Sequence, residues 1–204
     1  NVTNNLFNAS WTGAPGGALT AYAYLLETDN VDDSENDTFG LRYAGAFDLD
    51  ALKLLVTLEG AQQEVEAGDT EYYFAELGAE VAGVTVKVAQ EVLGSDDGTV
   101  AFQTPLATKH AFNGWADQFL ATPAEGLEDT FVSVGGKAAG FKLLAVFHDY
   151  KSNEGSIDYG TETNLLVARP IGKNYVVGLK YADYSADDFK TDTSKYWAWG
   201  ELKF

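Results

Sequence analysis

Cysteine is absent from the sequence, so disulfides, thiolate nucleophiles and cysteine-ligated metal sites are excluded outright. Methionine is absent as well. The chain opens at Asn1 without a basic, apolar and small-residue leader, and the expectation is that a leader has been removed or that the chain is a fragment. Positive charge is scarce: 13 Lys and Arg stand against 31 Asp and Glu, a formal net charge of −18. That balance repels phosphate backbones, so no nucleic-acid partner is expected, and it suits cations instead. No apolar run approaches the ~20 residues of a membrane helix. A helical membrane protein is thereby excluded, but a β-barrel is not, because its spanning strands are only about ten residues of alternating character.

Proline is confined to four loop-like places, and no Pro- or Ser-rich linker divides the chain, so residues 1–204 are expected to form one domain. What is plentiful is glycine and aromatic side chains, with 21 Gly, 12 Phe, 11 Tyr and four Trp. Period-two alternation bounded by turn residues gives about eleven strand segments. They run over 5–12, 18–27, 38–47, 52–62, 72–82, 84–93, 128–137, 141–149, 159–169, 174–183 and 195–204. Short connections such as Ala82-Gly83 and Ala138-Ala139-Gly140 take turns with longer acidic ones, among them TDNVDDSENDT, EVEAGDTE, YKSNEGSID and YSADDFKTDTS. Tight turns at one end and long loops at the other suit an all-β, up-and-down antiparallel transmembrane β-barrel.

The faces agree. Leu52, Leu54, Val56 and Leu58 oppose Lys53 and Glu59; Val84, Val86 and Val88 oppose Lys87 and Glu91; Phe141, Leu143 and Phe147 oppose Lys142 and His148. Arg42 and Lys180 likewise sit opposite apolar sets. In lipid the apolar face meets hydrocarbon and the charged face lines the lumen, so Arg42, Lys53, Glu59, Lys87, Glu91, Lys142, His148 and Lys180 are the expected pore-lining residues. Alternation alone also fits a soluble sandwich with its apolar face turned inward. Tyr and Trp near strand ends (Tyr22, Tyr24, Tyr43, Tyr72, Tyr73, Tyr175, Tyr181, Tyr196, Trp197 and Trp199) favour the barrel, as an interfacial girdle.

The segment at about 94–126 breaks the rhythm. It is too long for a plain hairpin loop, and Phe102, Leu106, Phe112, Trp115, Phe119 and Leu120 make it too apolar for disorder. It is expected to fold into the lumen and narrow it, with Lys109, His110, Asn113, Trp115, Asp117 and Gln118 at the constriction. His110 and His148 are the only histidines and are read as ordinary loop or lumen residues. The adjacent carboxylates Glu128 and Asp129 point to opposite faces of a strand and cannot flank one scissile bond. No catalytic residues, no metal site and no cofactor are expected. The clusters Asp29-Asp32-Asp33-Glu35-Asp37, Asp96-Asp97 and Asp187-Asp188-Asp192 lack ordered ligand spacing and suggest at most weak Ca²⁺ binding.

The run TPLATKHAFNGWADQFLATPAEGLED, the strand motif Tyr159-Gly160 with Glu162 and Asn164, the KYADY run from Lys180 to Tyr184, and the ending with Asp192, Thr193, Lys195 and Trp197 resemble a Gram-negative outer-membrane porin-like family often grouped with alginate-export barrels. The closing YWAWGELKF, with Tyr196, Leu202 and Phe204, resembles the signal that such proteins present to the barrel-assembly machinery. The resemblance implies a C-terminal portion of a larger barrel acting as a passive outer-membrane channel for ions and small hydrophilic solutes. Its expected partners are outer-membrane lipid and lipopolysaccharide, the assembly machinery, small solutes, and either a homo-oligomer mate or a missing N-terminal portion. The rival expectation is a soluble, calcium-dependent carbohydrate-binding β-sandwich.

Overall fold

The computed structural model describes residues 2–28 and 34–204; Asp29, Asp32 and Asp33 of the first acidic cluster lie outside the described residues. Thirteen strands follow one another in the chain: β1 (Val2–Ala14), β2 (Gly17–Thr28), β3 (Ser34–Leu49), β4 (Leu52–Val65), β5 (Gly68–Val81), β6 (Val84–Leu93), β7 (Ser95–Asp96), β8 (Val100–Ala101), β9 (Leu127–Ala138), β10 (Phe141–Lys151), β11 (Asp158–Ile171), β12 (Tyr175–Ala186) and β13 (Thr193–Leu202). All but β7 and β8 join one eleven-stranded sheet in strict neighbour order, β6 pairing directly with β9 across the long insertion. Every pairing is antiparallel, as the alternation anticipates. β1 and β13 are both edges of this sheet.

Turn chemistry sets the register at one end. Ala82-Gly83 and Ala139-Gly140 both carry positive φ at their two central residues (49° and 80° in each case), the backbone twist that lets a two-residue loop join right-twisted strands without splaying them. At the other end the sequence overestimates the connections: β3 already begins at Ser34 within TDNVDDSENDT, β12 runs to Ala186 within YSADDFKTDTS, and EVEAGDTE is affected most. EVEAGDTE reads as a loop because it is polar, yet β4 and β5 continue through it and leave only Glu66 and Ala67 between them. The final strand also differs from expectation: β13 covers Thr193–Leu202, so Phe204 stands beyond it, fully exposed.

One face of the sheet is apolar and bare. Phe39, Leu41, Leu58, Leu77, Val86, Val132 and Leu179 are each more than 40% exposed, and among the described residues no second layer packs on them. Each such side chain moved from water into an apolar surrounding gains about 1.5–3 kcal/mol, so this surface favours apolar contact over water. The other face carries the insertion 94–126, and the buried core forms there: Leu93, Phe102, Ala116, Phe119, Leu127, Tyr150, Tyr159, Ala182 and Tyr184. Phe119 is its centre, 4.5 Å from the Tyr150 ring and stacked at 10° on Phe189.

The aromatic girdle needs correction. Tyr43, Tyr73, Tyr175, Tyr181 and Tyr196 share parity with the apolar outer face, but Tyr22, Tyr24, Tyr72, Trp197 and Trp199 have the parity of the inner face. Tyr22 and Tyr72 turn their hydroxyls onto Glu59 and Glu91, at 2.7 and 2.8 Å, contacts unavailable from the lipid side.

Candidate functional site: an infolded loop on the inner wall

Strand parity brings all eight expected pore-lining residues to the inner face. Arg42 lies opposite Glu59 across β3 and β4, with Nη1 2.5 Å from Oε2. Lys87 of β6 reaches Glu76 of β5 at 2.9 Å, and Lys53 lies 3.7 Å from Asp48 in the exposed turn region. Lys142 is exposed opposite Lys137. The remaining three are not open wall. Glu91 and His148 are only 9% and 4% exposed, because the insertion lies over them, and Lys180 is half-buried beneath the same segment.

The insertion is fastened to the wall at successive strands. Gln63 of β4 pairs reciprocally with Gln103, its Nε2 donating to the carbonyl at 2.8 Å and its Oε1 accepting from the amide at 2.8 Å. Glu91 of β6 accepts from Asn113 Nδ2 at 2.5 Å. Glu162 of β11 accepts the Ala116 amide at 2.9 Å. Lys195 of β13 donates to Asp117 at 2.7 Å, and Lys190 donates to the Gln118 carbonyl. Gly114, at φ 89°, brings the loop backbone against Glu162 and Tyr150.

A chain of polar contacts runs along the β12 and β13 side. His110 Nδ1 donates to Asp117 at 2.5 Å, and its Nε2 accepts from Lys180 Nζ at 2.5 Å, which fixes the imidazole tautomer. The Lys180 ammonium also lies between two indoles, 4.7 Å from the Trp115 ring centre and 4.5 Å from that of Trp197, where it is held by cation–π attraction. Burial pushes the Asp117 carboxyl up, but its bonds to Lys195 and His110 outweigh this and hold it below its ordinary value.

The residues expected at the constriction are therefore anchors. His110, Asn113, Trp115 and Asp117 face the wall; Gln118 is buried and bonds the Ala116 carbonyl; Lys109 is 3% exposed and donates to Thr122 Oγ1 at 2.6 Å. What the loop leaves exposed is apolar: Leu106, Phe112 and Leu120 are 55%, 63% and 57% exposed, the first two beside the inner faces of β1 to β3. Sequence reasoning missed Gln63, Asp129, Tyr150, Glu162 and Asn164 as parts of this assembly. Their signal was present in the parity, since Glu162 and Asn164 are polar residues on the inner side of a strand whose continuation is apolar.

Burial pushes the Lys109 ammonium down to about 8 from 10.5, partly offset by Glu91. A lysine depressed on folding binds fewer protons folded than unfolded between those values, so stability rises with pH across that window. The expected result is that thermal unfolding in detergent shifts upward from pH 8 to pH 10 by an amount worth at most about 3 kcal/mol. In Lys109→Met that share of the pH dependence should vanish; equal pH responses of the two proteins would refute it.

Among the described residues no group of three or more His, Asp or Glu is gathered to hold a metal ion.

An up-and-down antiparallel sheet, apolar outside, with a long loop folded against its inner face, is the architecture of a porin-type β-barrel wall. The chain is similar to OccK9 (OpdG) of Pseudomonas aeruginosa, with a TM-score of 0.60 at 13% identity over 97% of this chain, and spans 58% of that protein's length. It is also similar to the NanC porin, with a TM-score of 0.49 at 8% identity, covering 100% of this chain and 94% of that one. No protein-family model matches the sequence, and no curated protein matches it.

Proposed function

We propose that this chain forms wall and constriction of an outer-membrane channel of a Gram-negative bacterium, passing ions and small hydrophilic solutes by diffusion and catalysing nothing. The observation that carries the reading is the inversion of the two faces: the apolar one is bare, and the polar one is folded over by residues 94–126. A soluble sandwich would need a second layer on the apolar face, so the calcium-lectin reading is not favoured. The wall residues Arg42, Lys53, Glu59, Lys87 and Lys142 act as its charged lining, and Tyr196, Leu202 and Phe204 serve recognition by the assembly machinery. Lipid and lipopolysaccharide are its surroundings. Membership of the alginate-export-like group rests on the motif resemblance, and an anionic polysaccharide is a poor match for a chain of net charge −18.

The test is conductance. The full-length protein, extracted with detergent and added to a planar bilayer, is expected to give stepwise current increases. In a salt gradient the reversal potential is expected to have the sign set by cations, because the net charge of −18 over the whole chain outweighs the basic residues of the lining and raises the local cation concentration. Absence of current steps from a protein that shows heat-modifiable migration would sink the channel; an anion-signed potential would sink the selectivity alone.

A further inference from the structure

A cleft of about 600 Å³ lies between the inner faces of β1 to β3 and the infolded loop. One wall presents Tyr22 and Tyr24, stacked with centroids 5.0 Å apart. Facing them, the loop contributes Phe102, Leu106 and the exposed ring of Phe112. Amides and hydroxyls are interleaved with these rings, notably Asn8, Thr20 and Asn36.

Four ionisable side chains of opposite sign line the cleft, two positive and two negative: Arg42, Lys109, Glu59 and Glu91. Every one is engaged. Glu59 takes Arg42 on one oxygen at 2.5 Å and the Tyr22 hydroxyl on the other at 2.7 Å. Glu91 is covered and holds Tyr72 and Asn113, and Lys109 is buried against Thr122. A charged solute entering here would lose hydration and find no uncompensated countercharge. A planar aromatic solute would use the rings but offer nothing to the amides of Asn8 and Asn36, whereas Thr20 already shares a hydrogen bond with Ser10 and Asn36 Oδ1 accepts from Thr38. A sugar ring has C–H faces for the aromatics and hydroxyls round its rim for Asn8, Thr20 and Asn36, and the volume falls within the range of small-ligand sites.

We propose that this cleft is a binding site for a neutral saccharide of one to three rings, making the channel a facilitated path for sugars. As a step in transport the inference rests on the channel reading; binding in the cleft is measured separately from conduction.

The experiment is calorimetry on the full-length protein in detergent, with maltotriose, a galacturonate trimer and benzyl alcohol as probes. Maltotriose is expected to bind with a dissociation constant on the order of 1 mM or tighter, and the other two not measurably. Tyr24→Ala and Phe112→Ala, which retain heat-modifiable migration because neither ring is in the buried core, should each weaken maltotriose at least about tenfold, as loss of a stacking face does. Maltotriose binding that both variants leave unchanged, no maltotriose binding, or preference for the uronate or the aromatic would each overturn the proposal. Bilayer current recorded from the same preparation tells the two readings apart: conduction without sugar binding leaves the channel and removes the saccharide site, whereas binding without conduction does the reverse.

Discussion

Excision of residues 103–123 is expected to raise single-channel conductance severalfold and to strengthen cation preference. The segment fills the space over the inner face from β4 to β13, held there by Gln63, Glu91, Glu162 and Lys195. Its own ionisable residues other than His110 are Lys109 and Asp117, which cancel, so its removal changes little fixed charge directly. It does uncover Glu91, Asp129 and Glu162, now 9%, 0% and 0% exposed, and carboxylates facing water in a narrow lumen attract cations. The sheet keeps its own interstrand hydrogen bonds, including those between β6 and β9 that the deletion leaves untouched. Folding should therefore survive, as retained heat-modifiable migration would show. Unchanged conductance in a folded variant would end the constriction role.

Gly114→Ala is expected to loosen the loop from the wall without unfolding the sheet. At φ 89° the position lies in the region that side chains rarely adopt, costing about 1–2 kcal/mol for a residue with Cβ. The added methyl would also collide with Glu162 and the Tyr150 hydroxyl, lying 2.7 Å from Glu162 Cδ. Overpacking of that kind adds about 1–3 kcal/mol. Neither neighbour can yield cheaply, since both are fully buried and Glu162 holds the Ala116 amide. Hydrogen exchange at that amide should accelerate by two orders of magnitude or more, as loss of about 3 kcal/mol of local protection implies. Exchange at the wild-type rate would show that Gly114 is not the point of closest approach.

The strands were legible because alternation is a local property: in VTVKV the Val and Lys positions declare their faces with no knowledge of neighbours. The infolding of the insertion was legible from its apolar content. Its attachment points were not, because Gln63 and Asn113 look like any polar residues until the loop's path is known. β2 shows why the aromatic residues were misplaced. Leu19, Ala21, Ala23 and Leu25 alternate with Thr20, Tyr22, Tyr24 and Leu26, so both faces are mildly apolar and parity does not separate inner from outer. Only register with β3, where Thr20 opposes Arg42 and Tyr22 opposes Gly40, turns the tyrosines inward. The six polar loop residues were found in the right segment but assigned outward, because a loop's inner and outer sides are not encoded by any fixed period.

The loop is tied to Gln63 on β4 by Gln103 and to Lys195 on β13 by Asp117, and so it works as a chord drawn across an arc of strands. A chord shorter than its arc limits how far the arc can flatten. The segment between those two ties reaches at most about 50 Å even when stretched, and Gly114 and the turn at Lys109 shorten it further. The curvature of this wall is then governed by the length of an irregular segment as well as by strand number and tilt. Residues added or lost between Gln103 and Asp117 would retune that curvature, and with it the width of the proposed channel, while leaving every strand unaltered.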